Sequence, residues 1–282
     1  MFDFLKKKKP VDTAKYKLNL QKDKEDNRDL KLRSYFSEIK EEKLPKSVDL
    51  RLKFPSMFSQ NDQGSCTANV GVAVLEYLIS EKRYQKLTLS RQYLYNKERI
   101  NDGSPLTEDS GSSIRQICKT LKKNGCCKEM FFKYGWDNFA KEPTTIANED
   151  AENYKIKSYM RCESLYEMKA ALSLGLPILI GVEVYEDFYR ATKAGIVPKI
   201  DRTKPFLGGH AITLVGYRPK PLSTKTQFLI RNSWGESIEN LYSWGYAFNN
   251  PSDSGWGKDG YAWIDEDELE AILLDAWVIT EI

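Results

Sequence analysis

The hydrophobic period of the chain changes near Gly175, and this change limits the possible folds more than any other feature. Before it, apolar residues recur every three or four positions, which is typical of amphipathic helices. After it, the apolar runs are short, rich in β-branched and aromatic residues, and separated by glycine or proline, which is typical of strands. This order predicts an α+β protein with a helical lobe and a sheet lobe.

Four helices are predicted before the change of period. The first begins close to Cys66, because apolar residues recur at helical spacing behind it. The last opens with Ser164 and Glu167 at the spacing of a capping box. The other two are predicted at SRQYLYNKERI and at SSIRQICKTLKKNG, where Gly125 is the stop signal.

Four strands are predicted after the change, at PILIGVEV, HAITLVGY, QFLIRNSW and YAWI. A chain of 282 residues is long enough for one large domain or two compact lobes. We expect the helical lobe at about residues 60–155 and the sheet lobe at about 156–282.

The composition excludes several classes of function. The chain is 41% hydrophobic and 29% charged, which is typical of a folded globular protein. No apolar run approaches the roughly 20 residues of a membrane span, so no membrane partner is expected. A net charge of +3 gives no argument for specific nucleic-acid binding. The basic run Lys6–Lys9 has the chemistry to contact phosphates or an acidic surface, but a solvated basic tail is the favoured interpretation.

The N-terminus and the cysteines bear on the cellular compartment. In MFDFLKKKKP the charges follow four residues and no apolar run comes after them, so we identify no signal peptide. Five cysteines, an odd number, do not form a dense disulfide framework. An intracellular location is expected, in the cytoplasm of a producer or host, or packaged in a particle if the protein is viral. Secretion by another route is the alternative.

The single histidine, His210, has surroundings that suit catalysis. It follows Gly208 and Gly209, whose missing side chains allow the backbone of a ligand to come close. Asn232 lies at the end of the next predicted strand, where it can accept a hydrogen bond from the imidazole and orient the ring. Because an isolated histidine is more often structural, this interpretation needs further residues.

Cys66 and Gln60 supply them. Cys66 lies where its helix begins, so the aligned backbone N–H groups and a nearby histidine would lower the pKa of its thiol. Gln60 lies on the loop before it, from which the side-chain amide can donate to a developing oxyanion. Alone, Cys66 would be interpreted as a small buried hydrophobic residue. The combination favours a nucleophile.

The order Gln60, Cys66, His210, Asn232 resembles that of the papain-like cysteine peptidases, the family of the cathepsins. The resemblance runs from about Leu44 to the C-terminus, and the form SCTAN is most similar to microbial and viral members. Five further motifs occur in the family's order: LPKSVDLR, DSGSSIR, GGHAITLVGY, RNSWG and GWGKDGYAWI.

The resemblance implies a two-lobe fold, with a helical lobe, an antiparallel β-barrel-like lobe and the active-site cleft between them. It implies a thiolate–imidazolium pair of Cys66 and His210. Asn232 would orient the ring, Trp234 would shield that hydrogen bond from water, and Gln60 would complete the oxyanion hole.

The same resemblance implies how substrate binds. Gly111 would offer its backbone N–H and C=O to an extended peptide, beside Ser110 and Gly209. The floor of the dominant subsite is expected within Asp265–Asp275. Protein or peptide substrates are expected, and no cofactor or metal. The vicinal pair Cys126–Cys127 lacks the two-residue spacing of a zinc site.

Three departures from the family pattern carry consequences. Thr67 stands where most relatives have a tryptophan, which predicts looser packing behind the nucleophile. Gln63 replaces a cysteine, so one usual disulfide is absent. Cys118, Cys162 and the vicinal pair are expected to be free thiols, with a disulfide among them left open. Since the only histidine is already assigned, the histidine loop of dipeptide-releasing enzymes is missing, which predicts an endopeptidase.

Two segments of the chain do not match the family pattern, and each has more than one possible role. Residues 1–44 form a polar extension, shorter than the family's usual inhibitory pro-region. It is predicted to be either a removable or regulatory cover or a permanent strap. Residues 236–254 are an insertion with alternating aromatic residues, which predicts a strand. It would border the leaving-group side of the cleft, bind a partner or add core packing.

Two other functions stay open. A catalytically silent scaffold or binding protein with the same fold would usually have lost the nucleophile or the base, and both are present here. A Cys–His amidase of narrow specificity would share the nucleophile but would not need the RNSWG and GWGKDGYAWI motifs. The oligomeric state is not predicted by the sequence.

Overall fold

The computed structural model describes residues 16–35, 41–235 and 256–282. The basic run at residues 6–9 and the insertion at 236–254 lie outside the described residues. Within these ranges no helix has both the length and the apolar character to cross a lipid bilayer.

Seven α-helices are found among the described residues, and four of them, α1, α2, α3 and α6, are the predicted ones. Ser90, Ser113 and Ser164 each accept a hydrogen bond from the backbone N–H three residues on, so the side chains cap the helices that follow them. The helices are α1 Cys66–Arg83, α2 Arg91–Asp102, α3 Ile114–Lys123, α4 Trp136–Phe139, α5 Thr145–Ala151, α6 Leu165–Ser173 and α7 Glu266–Ile272.

In the part of the chain that the structure describes, seven strands form one antiparallel sheet. Their order is β2-β7-β3-β4-β5-β6, and β1 pairs with β4. The register sets Val182 of β3 opposite His210 of β4, and Thr213 of β4 opposite Arg231 of β5. The strands are β1 Val48–Asp49, β2 Ser158–Arg161, β3 Ile178–Val184, β4 Gly208–Pro219, β5 Thr226–Arg231, β6 Tyr261–Asp265 and β7 Leu273–Glu281.

The α+β class is confirmed, but the expected barrel-like closure of the sheet lobe is not found. Within the described ranges, β2 and β6 end the sheet without pairing with each other. Each edge is instead met by a segment outside the sheet, since Lys31 bridges Arg161 on β2 and Ile196 bridges Trp263 on β6. Edges covered in this way are protected without closure of the sheet.

Helix α1 brings the two lobes together. It is buried from Cys66 to Ile79 and packs against α2, α3, β3 and β4. Gly71 allows the close approach of α3, because a Cβ atom there would lie 2.6 Å from the side chain of Ile117. The first residue of α1 therefore lies next to the beginning of β4, the strand that carries His210.

Residues 16–35, called the strap below, lie against the body of the protein. Asn19 forms a parallel bridge with Gly209, and Lys31 forms one with Arg161. Leu20 is 7% exposed and Leu32 is fully buried, so isolated apolar residues of this polar segment reach the core. The strap thus crosses the region in which α1 and β4 meet.

Candidate active site

His210 and Asn232 are held together by neighbouring strands. His210 is the third residue of β4, and Asn232 directly follows β5. The distance from His210 Nε2 to Asn232 Oδ1 is 2.7 Å. An amide oxygen only accepts, so Nε2 carries the proton and Nδ1 presents a lone pair. Within the described part of the chain, Nδ1 is buried and has no hydrogen-bond partner.

Trp234 covers this pair. Its ring stacks on the imidazole of His210, with 4.7 Å between centroids and 24° between planes. Phe188 and Trp256 meet Trp234 edge-on, and the indole is 2% exposed. Burial lowers the pKa of His210 to about 4, although the hydrogen bond with Asn232 acts in the opposite direction. The ring is therefore neutral at pH 7 in this state.

Cys66 lies at the start of α1, fully buried. The backbone N–H groups of Cys66, Thr67 and Ala211 act to lower the pKa of its thiol, and Ala211 is the residue after His210. Burial nevertheless raises the pKa of the Cys66 thiol to about 12. The structure thus brings the predicted nucleophile next to the histidine strand, but both groups are neutral while the site is covered.

Gln60 connects the loop before α1 with the segment after Asn232. Its backbone N–H donates to the carbonyl of Ser233 at 2.9 Å, and its side-chain Oε1 accepts from Ser233 Oγ at 2.9 Å. Because Oε1 is fixed, the amide nitrogen is directed away from Ser233. Gln60 Nε2 donates to the carbonyl of Gln63 at 3.1 Å and to that of Lys17 in the strap at 3.2 Å.

The strap occupies the predicted substrate-binding backbone. Leu20 N–H donates to the carbonyl of Gly209 at 3.1 Å. The Asn19 carbonyl passes Gly111 so closely that a Cβ atom on that glycine, which has φ +71°, would lie 2.0 Å from the oxygen. The side chain of Gln21 donates to the carbonyl of Ser110 at 3.2 Å. All three predicted residues, Gly111, Ser110 and Gly209, are therefore in contact with the chain itself.

The strap also reaches Trp234. The ring of Tyr16 stacks on this tryptophan with 4.8 Å between centroids and 2° between planes. The hydroxyl of Tyr16 donates to the backbone carbonyl of Trp234 at 3.0 Å. The strap thus runs from Trp234 past Gln60 to Gly111, and the site beneath it is closed to water.

The position after Cys66, Thr67, differs from the expectation of looser packing. Thr67 is buried, and its hydroxyl donates to Glu98 Oε2 on α2 at 2.7 Å. Burial raises the pKa of Glu98 to about 8, so this carboxyl is largely protonated at pH 7. A hydrogen bond between α1 and α2 takes the place of the usual aromatic contact.

Sequence reasoning missed two contributors to the site. Asp109 accepts hydrogen bonds from the backbone N–H of Gly64 at 3.0 Å, so it fixes the loop that leads into α1. Tyr134 donates from its hydroxyl to the carbonyl of Gln60 at 2.8 Å. Asp109 opens the DSGSSIR motif, which was a signal of its position. Tyr134 had no such signal, because its contact joins residues 74 positions apart.

The remaining cysteines and the expected subsite floor have contacts of their own. All five cysteines are free and buried: Cys66, Cys118, Cys126, Cys127 and Cys162. In the expected subsite floor, Asp275 accepts from Arg161 at 2.8 Å and from the backbone N–H of Asp23 in the strap at 2.8 Å.

Comparisons with known proteins agree with this arrangement. A family model described as papain family cysteine protease matches residues 44–250. An uncharacterized peptidase C1-like protein of Acanthamoeba polyphaga mimivirus is 32% identical over 91% of this chain and 81% of its own length. A viral cathepsin of Cydia pomonella granulosis virus is 25% identical over 85% of this chain and 63% of its own.

A solved structure is similar over nearly the whole length. Xylellain, a cysteine protease from Xylella fastidiosa, superposes with a TM-score of 0.77 at 28% identity. The match covers 95% of this chain and 98% of that structure. It therefore extends beyond the region of the family model into the N-terminal residues.

Proposed function

The chain belongs to the papain family of cysteine proteases, and from this membership we propose that it is a cysteine endopeptidase acting through Cys66, His210 and Asn232. The observation that carries the proposal is the state of the imidazole. Its Nε2–H is engaged by Asn232 at 2.7 Å, which leaves the lone pair of Nδ1 to take a proton. The backbone N–H of its neighbour in β4, Ala211, acts to lower the pKa of the Cys66 thiol.

The chemistry follows from these positions. His210 Nδ1 takes the proton of Cys66, and the thiolate attacks the carbonyl carbon of the scissile peptide. The imidazolium then gives its proton to the leaving amine, which departs and leaves an acyl-enzyme. Water, deprotonated by His210, releases the acyl group. Asn232 keeps the ring in the required tautomer and orientation throughout.

Gln60 supports this reaction as a donor to the developing oxyanion. Its Nε2 already donates to a backbone carbonyl, that of Lys17, and Ser233 prevents the amide from turning away. The backbone N–H of Cys66 is the second donor. Gly111, Ser110 and Gly209 receive the extended substrate through backbone groups, as they receive the strap here.

The strap acts as a cover that must lift before catalysis. Covered, the thiol has a pKa of about 12 and the imidazole one of about 4, so the reactive ion pair does not form. Lifting lets water in, which removes the burial that causes both shifts. The strap enters at Trp234, which borders the leaving-group side, and leaves at Gly111, which binds the acyl side. It therefore runs opposite to a substrate and escapes cleavage.

Internal peptide bonds are the proposed targets, because the sequence holds no second histidine to bind a substrate carboxylate. The five unpaired thiols fit a reducing, intracellular compartment. Proteins or peptides are the substrates, and the chain needs no cofactor for this chemistry.

Labelling by a broad epoxysuccinyl probe under reducing conditions tests the proposal. We expect the wild type and the matched control Cys162→Ala to be labelled and to cleave unfolded protein internally, and Cys66→Ala to do neither. An unlabelled wild type would support a silent scaffold. Labelling without cleavage of unfolded protein would support a narrow amidase, and release of C-terminal dipeptides alone would contradict the endopeptidase assignment.

A further inference from the structure

A carboxylate and an indole lie together beside the loop of Gln60, and a lysine of the strap binds both. Lys17 Nζ is 2.7 Å from Asp109 Oδ2 and 5.7 Å from the centroid of the Trp136 ring. The indole is itself held in place, because its Nε1–H donates to Asp62 Oδ1 at 2.8 Å. This combination of an anion and an aromatic face binds a long cationic side chain.

The Asp109 carboxylate is fixed before any cation arrives. It accepts from the backbone N–H of Gly64 and from the hydroxyl of Tyr95, and its side chain is only 10% exposed. These two groups thus determine its orientation, and Lys17, whose side chain is 48% exposed, is the partner that can leave. An acceptor with a fixed orientation discriminates better between cationic and neutral partners than a mobile one.

The backbone of Lys17 shows which substrate residue the pair would meet. The Lys17 carbonyl accepts from Gln60 Nε2 at 3.2 Å, the donor assigned to the oxyanion of the scissile carbonyl. One residue therefore supplies both the carbonyl at Gln60 and the ammonium at Asp109. Because the strap runs opposite to a substrate, only the position transfers and not the chain direction: a residue placed at Gln60 lies beside Asp109, and the long stem of a lysine or arginine there spans the distance to the carboxylate, as that of Lys17 does.

We propose that Asp109 and Trp136 form a subsite for a lysine or arginine at the residue that donates the acyl group, and that Lys17 occupies this subsite in the covered enzyme. The inference rests on the proposed peptidase function and adds to it a substrate class. Peptides with a lysine or arginine at this residue would also displace the strap more readily than other peptides.

Fluorogenic peptides that differ only in the residue before the scissile bond test the subsite in the full chain. We expect kcat/KM to be at least about tenfold higher for arginine and lysine peptides than for methionine and glutamine peptides of similar size. In Asp109→Asn and in Trp136→Leu this ratio falls toward one. Asp137→Asn, which removes an exposed acid next to Trp136, keeps the ratio.

Three results would overturn the subsite: equal rates for all peptides in the wild type, an unchanged ratio in Asp109→Asn, or an unchanged ratio in Trp136→Leu. If Asp109→Asn fails to fold, Trp136→Leu on the surface still decides. Peptide binding to Cys66→Ala, measured by fluorescence anisotropy, separates this proposal from the catalytic one. Tighter binding of the arginine peptide supports the subsite even if no peptide is cleaved, and equal binding contradicts it.

Discussion

The two halves of the strap hold the protein in different ways. The front half, residues 16–21, lies on the site through backbone hydrogen bonds, one aromatic stack and the half-exposed Lys17. The anchor half, residues 23–32, is fixed by buried groups. Asp23, 6% exposed, accepts from the Trp277 indole at 2.8 Å and from a backbone N–H at 3.1 Å, and Leu32 is fully buried.

This difference separates a replaceable contact from a permanent one. An extended peptide offers the same backbone groups as the front half, so a substrate can take its place. Nothing in a substrate replaces a buried carboxylate with several donors directed at it. The two alternatives for residues 1–44, a removable cover and a permanent strap, can apply to different parts of the segment: we expect the front half to lift and the anchor half to stay.

The largest expected effect is on the free energy of unfolding, when a buried contact of the anchor half is removed. Asp23→Ala leaves the Trp277 indole N–H and the backbone N–H of Arg115 without acceptors, so we expect a loss of about 3 kcal/mol in the free energy of unfolding. Urea denaturation measures it. Glu25→Ala, which removes an exposed acid of the same half, is the matched control and should change little. An equal loss of stability in the two variants would contradict the view that buried contacts fix the anchor half.

The next prediction removes the front half. A chain that begins at residue 22 should hydrolyse peptides and react with the epoxysuccinyl probe at least about tenfold faster, a difference of about 1.4 kcal/mol. Its urea midpoint should stay close to that of the full chain, because the anchor half is retained. Unchanged rates would show that residues 16–21 do not restrict access.

A pH series sharpens the comparison, because acid acts on the halves in opposite directions. The covered His210 has a pKa lowered from 6.5 to about 4, so it binds fewer protons than an uncovered ring, and the covered state loses stability as pH falls from 6.5 to 4. Burial raises the pKa of Asp275, which contacts the anchor, from 3.8 to about 6. The folded anchor binds more protons there and gains stability as pH falls through 6 toward 3.8.

The labelling rate of Cys66 measures this effect on the front half. We expect the ratio of the rates of the truncated and full chains to decrease several-fold toward one between pH 6.5 and 4.5. Asp275→Asn, which removes the opposing titration in the anchor, should leave this decrease in place. A ratio that rises in acid would contradict the assignment of the front half as the acid-sensitive cover.

The smallest expected effect concerns a single contact of the front half. Tyr16→Ala removes the stack on Trp234, which is worth ~0.5–1.5 kcal/mol, so the labelling rate should rise roughly threefold. Tyr16→Phe keeps the stack and loses only the hydrogen bond to the Trp234 carbonyl, and it should behave nearly as the wild type. A larger effect of Tyr16→Phe would show that the hydrogen bond, rather than the stack, keeps the front half on the site.

The sequence predicted those features that local pattern controls. Helical spacing, with the capping box of Ser164 and Glu167 and the stop signal of Gly125, predicted α1, α2, α3 and α6, and the short β-branched runs predicted the strands that hold His210 and Asn232. The order of motifs predicted the family. These signals lie within a few residues of the positions they determine, so no knowledge of the folded chain was needed.

The sequence did not predict contacts between distant residues. Asp23 and Trp277 are separated by 254 positions, and Lys17 and Asp109 by 92, with no local signal for either pair. Glu98 was not identified because a carboxyl on a helix is ordinarily solvated, whereas Thr67 makes its burial possible here. The open sheet was missed because its edges are covered by single bridges.

The anchoring of the strap through Asp23 also determines how the cover responds to dilution. A separate inhibitor leaves its target as the concentration falls, but a tethered segment meets the cleft at a local concentration set only by the length of the tether. The fraction of molecules that are covered is therefore the same at high dilution as in a crowded solution. If the chain were cut between the front half and Asp23, the released peptide would be lost to dilution, and activation would become irreversible.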